Sequence, residues 1–225
     1  MKGYGQFCFI AKALEIVGER WTPLILRELM CGATRFSDLQ RGLPRLSPSL
    51  LSRRLGALAR SGVVCRTAGG GYALTPAGAE LRPVIEALGF WGQRWVGGSL
   101  AAEDYDPDVL MWDMRRRIAQ DQLPPGRTCI CFAFRDAAPD RQHYWLLAAP
   151  QQVDLCITDP GVKVDLLVAT DVRTMVQVWN GDCPLGARLR DGSIDLQGPR
   201  PLVAAFPGWL RLSLFAAAPP AGGAG

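Results

Sequence analysis

The stretch SPSLLSRRLGALAR, residues 47–60, decides the fold of the first part of the chain. It opens with a serine followed by a proline, which is typical of a helix that begins with a capping residue and a proline in its first position. Leu51, Leu55 and Leu58 recur at i, i+4 and i+7, so they lie on one side of that helix and predict its buried stripe. The sequence therefore predicts an amphipathic helix with one side packed and the other free.

The free side of this helix is small, polar and cationic, and it carries no carboxylate. Short serines allow close approach, arginines pair with phosphates or guanine edges, and a helix N-terminus favours an anion. A solvated face is the alternative interpretation, but the absence of compensating Asp or Glu favours DNA. The predicted DNA contacts, including flanking basic residues, are Arg35, Ser47, Ser49, Ser52, Arg53, Arg54, Arg60 and Arg66.

The segments on either side of residues 47–60 complete a recognisable pattern. Before it, apolar residues at helical spacing predict helices over Phe7–Val17, after Thr22-Pro23, and from Phe36-Ser37. After it, residues 63–66 and 72–74 predict two short strands around the glycine-rich residues 68–71. A hairpin directly after a helix of this kind is the wing of a winged helix-turn-helix.

A final helix, predicted from Pro76 with Thr75 as its cap, carries an apolar stripe longer than a domain of this size can cover. Together with the first helix it predicts a homodimer. Twofold symmetry would place two copies of the 47–60 helix about 34 Å apart, which matches successive major grooves. The predicted dimer interface consists of Phe7, Cys8, Leu81, Val84, Ile85, Leu88, Trp91 and Trp95.

The runs RFSDLQRGLPRLSPSLLSRRLGALARSGVV and YALTPAG resemble the HxlR family of bacterial winged-helix regulators, over roughly residues 5–97. The resemblance implies a homodimer that binds a short inverted repeat in double-stranded DNA. In some members a cysteine of an N-terminal Cys-Pro pair senses oxidants or electrophiles. Cys8 matches this position, although Phe9 replaces the proline. A thiol-based redox switch at Cys8 is therefore an alternative trigger, and simple packing of Cys8 at the dimer interface is the other interpretation.

Charge and cysteine content narrow the class of protein further. Residues 1–100 hold 13 Lys and Arg against 6 Asp and Glu, a balance of +7, whereas the rest of the chain holds 12 against 15, a balance of −3. Only the first part is thus expected to meet a polyanion. No apolar run approaches a membrane span or a signal peptide, so the sequence predicts a cytoplasmic protein with no membrane insertion. The seven cysteines are scattered and His143 is the only histidine, so neither a metal site nor a cofactor is predicted.

The second half has a different composition and predicts an α+β domain. We expect residues 1–97 to form the DNA-binding and dimerisation domain, 98–107 a linker, 108–215 a second domain, and 216–225 a disordered tail. In 108–215 a helix precedes a meander of strands, and further helices follow, which favours helices on one face of a sheet. The fold class predicted for the whole chain is accordingly α+β.

The run DLCITDPGVKVDLLVATDVRTMVQVWNGD resembles the sterol-carrier-protein-like domain, a lipid-binding α+β fold. The resemblance implies an apolar tunnel between the sheet and its helices; an ordinary filled core is the alternative. The predicted lining residues are Trp112, Phe132, Phe134, Trp145, Leu155, Met175, Trp179, Phe206 and Trp209.

The sequence contains no nucleophile motif and no glycine-rich phosphate loop followed by Lys-Ser/Thr, so an enzyme is not expected. The main hypothesis is a dimeric regulator, acting as a repressor, whose DNA affinity responds to a small hydrophobic ligand in the second half. Two alternatives stay open: the Cys8 redox switch, and a lipid-binding module whose helix-turn-helix serves only as a scaffold.

Overall fold

The computed structural model describes residues 3–217. The chain divides into two compact units, and the boundary along the sequence lies between Gly89 and Phe90. Each unit has a hydrophobic core of its own. Residues 90–97, which the sequence analysis assigned to the first domain, group by their contacts with the second unit. The predicted domain limits therefore stay a prediction. The elements of the first unit are α1 (Phe9–Val17), α2 (Thr22–Met30), α3 (Phe36–Gly42), α4 (Pro48–Arg60), β1 (Val64–Arg66), β2 (Tyr72–Leu74) and α5 (Pro76–Ala79). The next helix, α6 (Arg82–Trp95), begins in the first unit and ends in the second.

Helix α4 forms as its sequence predicts. The backbone N–H of Leu50 donates to Ser47 Oγ at 3.3 Å, so Ser47 caps the helix as expected. Leu51, Leu55 and Leu58 are fully buried in the core of the first unit. The packed side and the free side of the helix are thereby fixed relative to α2 and α3.

The hairpin that follows α4 is also confirmed. Strands β1 and β2 pair antiparallel, with Cys65 opposite Ala73. The N–H of Tyr72 donates to the carbonyl of Thr34 at 2.7 Å, which ties the hairpin to the segment between α2 and α3. Helices α2 to α4 and the hairpin thus form one winged helix-turn-helix unit.

The prediction of one long helix from Pro76 is wrong in its first part. Thr75 caps a helix, as expected, by accepting from the N–H of Gly78 at 3.1 Å, but this helix, α5, ends at Ala79. A Cβ atom at Gly78 would lie 2.1 Å from the carbonyl oxygen of Val63, so the chain here packs directly on backbone. The next helix, α6, begins at Arg82 with Pro83 in its first turn, where a missing N–H is tolerated.

The second unit is a five-stranded sheet with helices. After short 3₁₀ turns at Gly97–Ser99 and Ala102–Asp104, its elements are α7 (Pro107–Arg117), β3 (Thr128–Phe134), β4 (His143–Ala149), β5 (Gln152–Cys156), β6 (Leu166–Thr170), α8 (Val172–Asn180), α9 (Leu185–Arg190), β7 (Asp195–Gln197) and α10 (Arg200–Trp209). The α+β class is confirmed. The tail predicted to be disordered begins at residue 216, but residues 216 and 217 belong to a 3₁₀ turn over Leu214–Ala217. The rest of the predicted tail, residues 218–225, lies outside the described residues.

The predicted meander is wrong in its fourth strand. The strand order is β5-β4-β3-β6-β7, and β6 pairs parallel with β3 while the remaining neighbours pair antiparallel. The reason is that the loop after β5 carries the chain past β4 and β3 to the other edge of β3. The sheet is therefore mixed, a topology that alternation of apolar residues along single strands does not encode.

One face of this sheet supports the core of the second unit. Ile130, Phe132 and Phe134 of β3 are fully buried there, as their alternation predicts. Ile157 continues the alternation of Val153 and Leu155, but β5 ends at Cys156 and Ile157 is 65% exposed. In the described part of the chain, no helix is both long and apolar enough to cross a membrane.

Candidate nucleic-acid interface

Helix α4, hereafter the recognition helix, presents an exposed cationic face on the side that is not packed in the core. Ser47, Ser49, Ser52, Arg53 and Arg60 are all exposed. They follow the spacing that puts residues on one side of a helix. The hydroxyls of Ser47 and Ser49 lie 3.3 Å apart at its N-terminus. The structure therefore brings five of the eight predicted DNA contacts together on one surface.

Gly56 lies within this face and leaves room for a neighbouring guanidinium. A Cβ atom at Gly56 would be 3.6 Å from Nη1 of Arg60, so the Arg60 side chain folds back along the helix. No Asp or Glu occurs between Ser47 and Ser61. Because nothing on the helix itself neutralises these arginines, their charge is available to a polyanion.

Arg54 is placed differently from the other predicted contacts. Its Nη2 lies 2.5 Å from Oε2 of Glu19, in the turn between α1 and α2, and only 17% of its side chain is exposed. The pair links the recognition helix to the preceding helices. Arg54 therefore positions the helix, and the surface available to DNA is formed by its neighbours. Sequence reasoning missed Glu19, because no local pattern connects a residue before α2 with one in α4.

The two predicted contacts outside the recognition helix are both exposed. Arg35 precedes the first residue of α3, and Arg66 ends β1 in the hairpin. The guanidinium of Arg66 lies over the ring of Tyr72, 5.1 Å from its centre, which holds it on the hairpin surface. Two arginines that the sequence analysis did not select, Arg41 and Arg45, are also exposed, in α3 and in the turn before the recognition helix.

The predicted dimer residues divide into two groups. Leu81 and Ile85 are partly buried against the core of the first unit, whereas the predicted dimer interface requires exposed side chains. Phe7 is 97% exposed, and Cys8 is also exposed. On α6, the spacing of Val84, Leu88, Trp91 and Trp95 forms one apolar stripe, in which Leu88 is 56% and Trp91 60% exposed. Phe9 and Ile10 add further exposed apolar surface to α1. We call the exposed apolar residues of α1 and α6 the apolar surface.

Cys8 stands at the N-terminus of α1, as its capping residue. The backbone N–H groups of Ala11 and, next, Ile10 stabilise the thiolate and lower the pKa of the Cys8 thiol below its ordinary value. Lys12, one turn further along α1, pairs with Glu15 at 3.0 Å. By contrast, burial raises the pKa of the Cys131 thiol in the second unit to about 11.

Seven of the nine predicted ligand-lining residues pack together in, or against, the core of the second unit: Phe132, Phe134, Leu155, Met175, Trp179, Phe206 and Trp209. The ring centres of Phe132 and Phe206 are 6.2 Å apart, and those of Phe206 and Trp209 are 6.1 Å apart. The apolar tunnel and the filled core both stay predictions.

The other two lining residues lie outside this core. Trp145 faces the opposite side of the sheet, because its neighbours Tyr144 and Leu146 face the core. Trp112 is buried beneath the guanidinium of Arg115, 4.1 Å from the centre of its ring. A surface pocket of about 470 Å³ in this unit is lined by a different set, including Tyr105, Asp136 and Arg141, and by none of the nine.

A metal site is the remaining possibility for the second unit. Within residues 3–217, no three or more His, Cys, Asp or Glu side chains are placed to hold a metal ion. Cys129 and Cys131, on one face of β3, are buried free thiols. The site that the described residues define is accordingly the cationic face of the recognition helix.

A capped helix with a cationic face, packed on two shorter helices and followed by a hairpin, defines a winged helix-turn-helix protein. Residues 16–99 match the HxlR-like helix-turn-helix family. The uncharacterized HTH-type transcriptional regulator YvaP of Bacillus subtilis is 36% identical over 94 residues, which cover 39% of this chain and 87% of that relative. The chain belongs to the HxlR-like helix-turn-helix family, and its first hundred residues are those of an HTH-type transcriptional regulator.

Two further relatives cover the same share of the chain. The uncharacterized HTH-type transcriptional regulator Rv3095 of Mycobacterium tuberculosis is 41% identical over 93 residues, 39% of this chain and 58% of that relative. Quinone-bound YodB from B. subtilis, known from a crystal structure, is 30% identical in sequence. The match covers 39% of this chain and 97% of that chain, with a TM-score of 0.36. The chain thus spans little more than half the length of Rv3095 and carries a second unit beyond the shared region.

Proposed function

We propose that this protein is a homodimeric repressor that inserts two recognition helices into successive major grooves of an inverted-repeat operator. The observation that carries the proposal is the exposed, carboxylate-free face formed by Ser49, Ser52, Arg53 and Arg60. A helix of this kind donates to phosphates and base edges without desolvating an opposing charge. The wing, through Arg66, contributes a contact to a flanking phosphate.

Selection from a pool of random DNA duplexes tests this proposal. The full chain is expected to enrich a two-part inverted repeat whose half-sites lie one helical turn apart, about 10–10.5 base pairs. Enrichment of no sequence, with binding as weak as for random DNA, would contradict it. That result would instead favour the rival interpretation, a ligand-binding module whose helix-turn-helix serves as a scaffold.

A second candidate trigger is oxidation at Cys8, which the position of this thiol favours. It is exposed at a helix N-terminus, where N–H groups stabilise a thiolate, and the thiolate is the reactive form. Reaction of the Cys8 thiolate with an oxidant or electrophile would place a new group in the apolar surface that we propose for dimerisation. In this candidate the DNA-binding face is the same, and oxidation of Cys8 takes the place of a hydrophobic ligand as the trigger.

The pH dependence of Cys8 alkylation checks this second candidate. Because its pKa is lowered, the thiolate of Cys8 forms at a lower pH than that of an ordinary thiol, about 8.5. The rate of iodoacetamide modification, followed by peptide mass spectrometry between pH 6 and 10, is expected to reach half its maximum below that value. Cys131 is the internal control and stays unmodified in the folded protein. A midpoint for Cys8 equal to that of a free cysteine peptide would contradict the prediction.

We further propose that the second unit supplies a regulatory input through a hydrophobic ligand. A separate core and a size comparable to the first unit support a function of its own, and the likeness to sterol-carrier-like domains stays a prediction. Since Phe132 and Phe206 are in contact, a ligand in this core has to separate them. Native mass spectrometry of the purified dimer is expected to show a reproducible extra mass of lipid size, and a bare dimer would contradict this part.

A further inference from the structure

A pocket of about 320 Å³ opens beside the recognition helix, within the first unit. Its walls are Arg54, Ala57 and Leu58 of the recognition helix, Ile16 of α1 and Glu19 of the turn that follows. Its lining thus combines three apolar side chains with the Arg54–Glu19 ion pair and further polar residues, which are Glu15, Thr22, Arg60 and Ser61. The pocket touches the helix that we propose to bind DNA, and it shares Arg60 with the cationic face of that helix.

The ion pair in this pocket leaves one donor of Arg54 unused. Glu19 pairs with Nη2, whereas Nε of Arg54 is buried and has no hydrogen-bond partner. A buried donor without an acceptor destabilises the state that contains it. A carboxylate in place of that of Glu19 would accept from Nε and Nη2 together, in the two-pronged geometry that guanidinium groups favour.

The charges around the pocket favour an anion. Glu15 is neutralised by Lys12, at 3.0 Å, and Glu19 by Arg54. Arg60, which also lines the pocket, adds a further positive charge. These five groups therefore sum to one positive charge, which a monovalent anion would balance.

We propose that this pocket binds a small organic carboxylate with a compact apolar body, and that its occupancy weakens DNA binding. The carboxylate accepts from Arg54 in place of Glu19, and the apolar body lies against Ile16 and Ala57. Displacing Glu19 removes the link between the recognition helix and the turn after α1. The anion also pairs with Arg60, which the proposed DNA complex needs. Binding of the anion and binding of DNA therefore weaken each other. The regulatory half of this inference rests on the proposed DNA-binding function.

The site itself is tested without DNA, with 4-fluorobenzoate as the probe and the neutral 4-fluorobenzamide as its matched control. Titration of the full chain, followed by ¹⁹F NMR, is expected to show saturable binding of the anion with a dissociation constant of about 1 mM, the range for a fragment of this size. The neutral amide is expected to bind about 10- to 100-fold more weakly, because it lacks the charge that pairs with Arg54. Absence of saturation, or equal binding of the two probes, would overturn the site.

Three variants locate the binding. Arg54→Gln is expected to weaken binding of 4-fluorobenzoate about 10- to 100-fold. Ala57→Leu fills the pocket without touching the ion pair, and it is expected to abolish binding even if Arg54→Gln does not fold. Arg53→Gln, one residue away on the exposed face, is the control and keeps the wild-type affinity. Equal losses in Arg53→Gln and Arg54→Gln, or an unchanged Ala57→Leu protein, would overturn the assignment to this pocket.

The regulatory half is tested on the operator obtained by selection. Saturating 4-fluorobenzoate is expected to lower the DNA affinity of the wild-type protein at least 5-fold and to leave that of Ala57→Leu unchanged. Saturable binding of the probe with unaltered DNA affinity would overturn the regulatory half alone. If the chain binds no operator, the proposed function fails, and the NMR titration still decides whether the site exists.

Discussion

Replacing Arg53 by alanine is expected to cause a large loss of operator affinity while leaving the fold intact. Arg53 is exposed on the recognition helix, and no hydrogen bond or ion pair of the described residues uses its guanidinium in the structure. Loss of one arginine contact to a base edge or phosphate weakens binding by about 1–3 kcal/mol, and a dimer places two copies on the operator, so the loss is about 2–6 kcal/mol. Fluorescence anisotropy at several salt concentrations between 50 and 200 mM measures both the affinity and its salt dependence.

Arg200→Ala is the matched control for this substitution. Arg200 is exposed at the start of α10 in the second unit, so its loss changes the net charge equally without touching the recognition helix. The control is expected to bind DNA with nearly wild-type affinity. Equal losses for Arg53→Ala and Arg200→Ala would show that overall charge, and not the recognition helix, governs binding.

The double substitution Leu88→Glu and Trp91→Glu is expected to convert the dimer into a monomer. Both side chains lie exposed on the stripe of α6, so the change leaves the folded chain intact while it places four carboxylates in the proposed interface. Burying an unpaired charge is unfavourable by several kcal/mol. A loss of about 4 kcal/mol raises the dissociation constant of the dimer roughly 1,000-fold. Sedimentation velocity over a range of protein concentrations measures this shift.

Ile157→Glu provides the corresponding control in the second unit. Ile157 is an exposed apolar residue just after β5, and it is not part of the apolar surface of α1 and α6. This variant is expected to stay dimeric. A wild-type protein that sediments as a monomer, or a Leu88→Glu, Trp91→Glu variant that remains a dimer, would contradict the proposed interface.

The sequence predicts the first unit well because its signals are local. A capping serine, a proline in the first turn and leucines at i, i+4 and i+7 determine both the limits and the buried side of the recognition helix, and all three are present in the structure. The exposed face of Ser49, Ser52 and Arg53 follows from the same periodicity. The hairpin is predicted by its glycines and short apolar strands for the same reason.

Features that depend on distant residues could not be predicted in this way. The pairing of Arg54 with Glu19 joins residues 35 positions apart, and nothing near either residue indicates it. The parallel pairing of β3 with β6 likewise depends on the path of a loop, and not on the alternation within either strand. The aromatic residues of the second unit are compatible with both a tunnel lining and a filled core, because both predict buried aromatic side chains.

The most direct test of a dimer that reads DNA through two recognition helices is a footprint on the selected operator combined with the mass of the complex. We expect two chains per duplex and two protected major-groove segments, about 10–10.5 base pairs apart from centre to centre. Arg53→Ala is expected to lose protection at both segments together. A single chain per duplex, or protection confined to one continuous segment, would rule out DNA binding by two recognition helices of a dimer.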